Sequence, residues 1–290
     1  MSKKPLIWLR IVFIRRVFLA ALFVMAGAGV APELRAQGDR GGTPGDFDYY
    51  LLSLSWSPTY CASREENGGA RGGNDGQYGD ERGYGGRSGG GERRDYGRRN
   101  DGDQQCTGIR PYAFVLHGLW PQYERKGWPE FCRTGSQPWV SEETIGGMMD
   151  IMPSRRLVIH EYKKHGVCSG LDPRGYFDAA RRAYRNIRIP DRFQDLSQPL
   201  TVSPEDVRKT FLEANRQLPP DSIQIACSRH LLREVRVCLT KDLAPRPCSQ
   251  TEQNRPLCGE STVTMPPVRG GGTGPRGGPT TCAADCSWSS

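Results

Sequence analysis

"HEYKKHGVC", residues 160–168, places two histidines, a glutamate and two lysines within six residues, and a cysteine three positions further on. Such crowding has a metal reading and a proton-transfer reading. The metal reading asks for His-Glu-x-x-His, which sets both imidazoles on one helical face a turn apart. Here the spacing is His-Glu-x-x-x-His, and residues five apart on a helix are turned about 140° from one another, so His160 and His165 do not converge on one ion. The four-residue spacing joins Glu161 to His165 and His160 to Lys164. It predicts a carboxylate that holds or charges an imidazole, with a lysine cation beside it. The helix is expected over residues 157–165, ended by Gly166 in the left-handed conformation. No metal and no cofactor are expected.

Working outward, "SEETIGGMMDIMP" at 141–153 reads as a short helix capped by Ser141, and "DPRGYFDAARRAYRNI" at 172–187 as an amphipathic helix capped by Asp172. "SPEDVRKTFLEANRQLP" at 203–219 carries a stronger start signal: Ser203 as cap, Pro204 in the first turn and Asp206 to close a capping box. Strands are expected at 222–227 and 233–240, the second with Val235, Val237 and Leu239 on its apolar side. "YYLLSLSWSPTYC" at 49–61 begins as a strand, with Leu52, Leu54 and Trp56 on one face and a turn at Ser57-Pro58. "PYAFVLHGLWPQ" at 111–122 reads as a buried strand ending at Gly118, with His117 near its end and a loop from there to Cys132. Periodicity fades after Leu243. Strands and helices together make a mixed α+β domain.

The ends and one interval differ in character. A basic lead (Lys3, Lys4, Arg10, Arg15, Arg16) precedes the apolar run Val17–Ala31 and a group of small residues. Residues 1–36 read as an export signal cleaved at about 28–36. A run of 15 residues is short for a membrane anchor, so no stable membrane association is expected once the signal is removed. "RRVFL" at 15–19 leaves the twin-arginine route open. The leader holds six basic groups and one acid, so the formal +8 of the whole chain falls to +3 without it, a balance that permits a polyanionic substrate without demanding one. Residues 64–105 hold 14 glycines, eight arginines and nine acids, with Ala70 as the one aliphatic side chain. This interval reads as a flexible insertion in a domain spanning 37–263, because it cannot bury enough apolar surface to offset the entropy of ordering. A Gly/Pro-rich tail is expected over 264–290. Ten cysteines in an exported chain imply up to five disulfides, and composition leaves their connectivity open.

"FVLHGLWPQ" at 114–122 and "HEYKKHGVC" at 160–168, in this order and each followed by a cysteine, resemble the two active-site signatures of the ribonuclease T2 family. "LSWSPTYC" at 54–61 and "IQIACSRHLLREVRVCLTKDLAPRPC" at 223–248 resemble its early strand and the later sheet segment of its bacterial exported members. The resemblance implies a central antiparallel sheet packed with helices and stapled by disulfides. It implies cleavage of single-stranded RNA without a metal, through a 2',3'-cyclic phosphate to a 3'-phosphate, with little base preference. It casts His165 as general base, His117 as general acid, and Glu161 with Lys164 as support for the anionic transition state. His160 resembles a phosphate contact and Trp120 a base-stacking aromatic. Gln122 stands where some fungal relatives have an acid, and Tyr162 where many relatives have tryptophan. Cys132–Cys168, Cys61–Cys106, Cys238–Cys248 and Cys227–Cys258 are the pairings that fit this frame, with Cys282–Cys286 as a further pair. The expected protein is a monomer of the periplasm or exterior that leaves DNA uncut, since DNA lacks the 2'-hydroxyl. A non-catalytic exported module that binds RNA or protein on the same fold is the competing reading.

Overall fold

The computed structural model describes residues 38–68, 104–107, 110–125 and 127–268. The leader, residues 69–103 of the expected insertion, the end of the tail and Cys282 with Cys286 lie outside the described residues. The strands are β1 (Gly38–Arg40), β2 (Tyr49–Trp56), β3 (Phe114–Gln122), β4 (Trp128–Glu130), β5 (Leu200–Val202), β6 (Ile223–Ser228), β7 (Leu231–Leu239) and β8 (Val263–Met265). The α-helices are α1 (Ser57–Gly68), α2 (Gln104–Thr107), α3 (Glu142–Met148), α4 (Arg155–Lys164), α5 (Pro173–Arg185), α6 (Pro204–Ala214) and α7 (Gln250–Gln253). Six strands form one sheet in the order β3-β2-β7-β8-β5, with β6 also on β7, and its long pairings are antiparallel. The architecture is the α+β fold expected.

One face of this sheet is the main core. Leu52, Leu54 and Trp56 from β2 and Val235, Val237 and Leu239 from β7 meet Ile145 and Met148 of α3, Val158 and Tyr162 of α4, Tyr176 and Phe177 of α5 and Val207 and Phe211 of α6. Side-chain caps start those helices. Ser141, Ser154, Asp172 and Ser203 each accept a hydrogen bond from the backbone N–H three residues on, which satisfies donors that the helix itself leaves open. The opposite sheet face carries a small cluster, Tyr49, Leu51, Cys238 and Cys248 with Trp120 against it, beside the buried charges of Glu234 and Arg236.

Several local expectations are corrected. Ser57-Pro58 starts helix α1 instead of a turn; proline fits a first helical turn, where its missing N–H costs nothing. β3 does not stop at Gly118 but runs to Gln122, so His117 lies in mid-strand, and the segment before Cys132 contains β4, paired with β1. α4 begins at Arg155, two residues early, and Gly166 is not its left-handed terminus: it opens a short 3-10 turn, Gly166–Ser169, and the left-handed glycine is Gly170, at φ 78°. Gly166 serves packing instead, because a Cβ there would lie 2.4 Å from the Tyr162 ring and 3.0 Å from that of Tyr176. β8 straddles the boundary expected at 263/264. Val263 and Met265 are fully buried, and Pro266 accepts from the Trp56 indole at 3.0 Å.

Four disulfides, Cys61–Cys106, Cys132–Cys168, Cys227–Cys258 and Cys238–Cys248, join the described residues. Cys132–Cys168 ties the loop after β4 to the turn after α4. Beside it, Phe131 adopts the left-handed region (φ 49°) and donates its N–H to the Lys164 carbonyl at 2.7 Å, a conformation costly for a bulky residue unless its surroundings enforce it. The Cys132→Ser/Cys168→Ser double variant is expected to lose about 2–5 kcal/mol of unfolding free energy, read by chemical denaturation against the intact protein.

Candidate active site

Strand β3 decides the site. Its register with β2 pairs Leu116 with Leu54 and Gly118 with Ser53, so His117 is the additional residue of a β-bulge. A bulge reverses the inside–outside alternation beyond it. Phe114, Leu116 and Leu119 accordingly all face the main core, although 116 and 119 would point oppositely on a regular strand. His117 and Trp120, three apart, both reach the other face and line one cleft. Gly118, between them, has no side chain for a reason of space: a Cβ would sit 2.1 Å from Glu161 Oε2 and 2.3 Å from Trp120 Nε1. On the other side of this segment the Tyr176 hydroxyl donates to the Leu119 carbonyl at 2.9 Å.

Helix α4 supplies the second half. His160, Glu161, Lys164 and His165 line the same cleft of about 230 Å³ as His117, Trp120 and Gln122. All seven residues singled out from the sequence are thus brought together. Gln122 is buried and its amide donates to the Pro121 carbonyl at 3.0 Å. Lys164 Nζ lies 3.8 Å from Glu130, which also accepts from Arg40 at 3.0 Å.

One expected pairing is replaced by another. The Glu161 carboxylate accepts from Trp120 Nε1 at 2.7 Å and stands 3.6 Å from His117 Nε2, whereas His165 Nδ1 is buried without a hydrogen-bond partner among the described residues. His165 is the C-cap of α4, at φ −112°, so its side chain leaves the helical line on which four-residue spacing would bring it to Glu161. His165 packs instead on Trp120, ring centroids 5.3 Å apart, and His117 meets the same indole edge-on at 5.1 Å.

The two imidazoles are driven in opposite directions. Burial lowers the pKa of His165, and the positive charges of Lys164, His160, His117 and Arg236 push it further, well below the ordinary 6.5. Burial also works against charge on His117, but the hydrogen bond and charge of Glu234, with the charge of Glu161, outweigh it and hold this imidazole above 6.5. Burial raises the Glu161 pKa against the opposing pull of His117, Trp120 and Lys164. Glu234, though buried, is held well below the usual carboxylate range by Arg236, His117 and Arg233. Two titratable groups whose surroundings push their pKa values apart are the arrangement that acid–base chemistry uses.

Glu234, Arg236 and Arg233 of β7, Arg255 after α7, and Tyr60, Thr59 and Ser63 of α1 also line the cleft, and sequence reasoning did not single them out. A signal existed for two of them. With Val235, Val237 and Leu239 on the core side, Glu234 and Arg236 must share the opposite face of an interior strand, where charge is buried only for a reason.

Residues 47–248 match the family model described as Ribonuclease T2 family. The chain belongs to that family. Among curated relatives, a ribonuclease of Aeromonas hydrophila is 30% identical over 254 residues, covering 86% of this chain and 99% of the relative. Ribonuclease I of Escherichia coli strain K12 is 23% identical over 239 residues, 71% of this chain and 80% of its own. The solved structure of trichomaglin, described as a novel S-like ribonuclease, superposes with a TM-score of 0.51 at 20% identity over 77% of this chain and all of that one, a likeness of fold. Both signatures around His117 and His165 fall inside the family match. Replacing Gly118 by alanine is expected to cost about 1–3 kcal/mol of stability through overpacking against Glu161 and Trp120, measured by denaturation, while Gly146→Ala, with open space around its position, stays near the unaltered protein.

Proposed function

We propose that this chain is a metal-independent endoribonuclease of single-stranded RNA. The observation that carries this reading is that His117 and His165 line one cleft with Glu161, Lys164 and His160 and both pack against the Trp120 indole, in surroundings that drive the two imidazoles in opposite directions. Neutral His165 takes the proton of a ribose 2'-hydroxyl. The 2'-oxygen attacks the adjacent phosphorus, the bond from phosphorus to the 5'-oxygen breaks, and His117 gives that oxygen a proton. The products are a 2',3'-cyclic phosphate and a free 5'-hydroxyl. Water then opens the ring with the two roles exchanged, leaving a 3'-phosphate.

Lys164 and His160, on the cleft wall, supply positive charge and donors to the phosphate as negative charge gathers there. Glu161 keeps the Trp120 indole and His117 in place. Trp120, Trp128 and Tyr60 present aromatic surface in the cleft, which suits unpaired bases and favours none strongly. Each of these rings already has neighbours over it: His117, His165 and Arg236 at Trp120, Arg255 at Trp128 and Arg64 at Tyr60. The leader and the four disulfides support action outside the cytoplasm, in the periplasm or beyond.

With a defined RNA in excess chelator, a transient 2',3'-cyclic end is expected; its absence throughout turnover rejects the reaction, and binding without cleavage returns the non-catalytic reading. His117→Ala and His165→Ala should each lower kcat/KM by roughly 10²–10⁴-fold. Only the His117→Ala loss should shrink on RNA whose leaving 5'-oxygen is replaced by sulfur, which departs without a proton.

The pH dependence follows from the two shifts. Activity needs His165 unprotonated, so it rises with pH through a limb below 6.5; it needs His117 protonated, so it falls through a limb above 6.5. A kcat/KM profile with both limbs on one side of 6.5 would contradict the assignment.

A further inference from the structure

We infer that Glu234 is the positioning residue of the acid: it takes the Nδ1 proton of His117 as a hydrogen bond and thereby leaves Nε2 as the nitrogen that delivers a proton into the cleft. Glu234 Oε1 stands 2.9 Å from His117 Nδ1. An ionised carboxylate only accepts, so Nδ1 must donate, and the exchangeable proton belongs to Nε2, on the side of Glu161. A third group that orients the acid–base imidazole is a recurring requirement of such chemistry.

Glu234 is itself clamped. Arg236 donates from Nε to its Oε2 at 2.8 Å, Arg236 Nη1 lies 3.6 Å from Glu252, and Arg255 donates to Glu252 at 2.8 Å. The ladder His117–Glu234–Arg236–Glu252–Arg255 alternates in sign from end to end. Its inner carboxylates and Arg236 are buried. Alternation is what lets three buried charges coexist, since each is neutralised by its neighbours. Ser249 caps α7 by accepting from the Glu252 N–H, and Cys238–Cys248 ties that segment back to β7, so covalent and capping contacts hold the outer rungs. The titratable and charged groups that face His117 are Glu234 and Arg233 from β7, with Arg236 behind them, Glu161 of α4 and His165 at its C-cap. Of these, Glu234 makes a hydrogen bond of ordinary length to the ring.

The inference rests on His117 as the acid of the proposed reaction, and the test separates the two. Chain-wide there are four histidines, so ring signals of the labelled full-length protein can be assigned and titrated by NMR. In folded Glu234→Gln the His117 titration is expected to move to lower pH. The alkaline limb of kcat/KM should move with it, the acid limb should stay, and kcat should fall roughly 10²-fold on ordinary RNA but little on the sulfur-leaving substrate. If Arg236, left without its partner, unfolds that variant, Glu234→Gln/Arg236→Met removes the stranded charge and should give the same titration shift. An unmoved His117 titration in a folded variant overturns the role of Glu234 and leaves the acid assignment standing. A moved titration with an unmoved alkaline limb overturns His117 as the acid, and the catalytic role of Glu234 with it.

Discussion

A carboxylate can press against a β-strand only where the strand has no Cβ to meet it. Glu161 does so at Gly118, and the arrangement of the site depends on that approach. The bulge at His117 supplies the other half of the condition, by turning both His117 and Trp120 to the face where Glu161 arrives. Lay the same residues out in regular alternation, without the bulge, and Trp120 would face the core while Leu119 faced the cleft. Fill the gap at Gly118 and Glu161 would have to retreat from both of its partners. The strand is gripped on its far side by Tyr176, whose ring needs the space left by Gly166. Two glycines, one in each signature, therefore act on the same short piece of β3 from opposite directions.

On this scaffold the electrostatics follow from neighbours more than from depth. His117 and His165 are both largely withdrawn from water, and burial by itself would leave both neutral. Glu234 and Glu161 stand beside His117, whereas Lys164, Arg236 and the imidazoles of His160 and His117 bear on His165. The opposite directions of their pKa shifts thus come from the neighbours each imidazole has. Such a site is expensive to assemble, because buried charge destabilises unless every member is paired. The surrounding structure answers that cost with capped helices, a continuous apolar core on the reverse face of the sheet, and crosslinks next to the segments that line the cleft.

Much of this was legible in the sequence where a local rule coincides with the tertiary one. Ser141, Asp172 and Ser203 cap the helices they announce, and Val235, Val237 and Leu239 face the core as their alternation requires. All seven candidate cleft residues meet, because two short signatures each hold several of them. Legibility ended where one pattern serves two structures. Ser57-Pro58 is as good a helix start as a turn. A glycine in a strand reads as a strand end, and only the pairing with β2 shows a bulge. The spacing of Glu161 and His165 is right for contact along a helix, but the helix ends between them. Glu234 and Arg236 look like a solvated strand face until β2 and β6 are placed on either side of β7. β8, three residues long, owes its burial wholly to partners that are remote in the chain.

The Cys61–Cys106 bond spans 45 positions of sequence, among them the long glycine- and arginine-rich interval, and its two ends rest in helices α1 and α2. Crosslinked in this way, the two sides of that interval are joined by a covalent bond besides the polypeptide itself. A protease that severed the chain there would yield two fragments that still travel as one molecule, with β2 on the first and β3 on the second still paired.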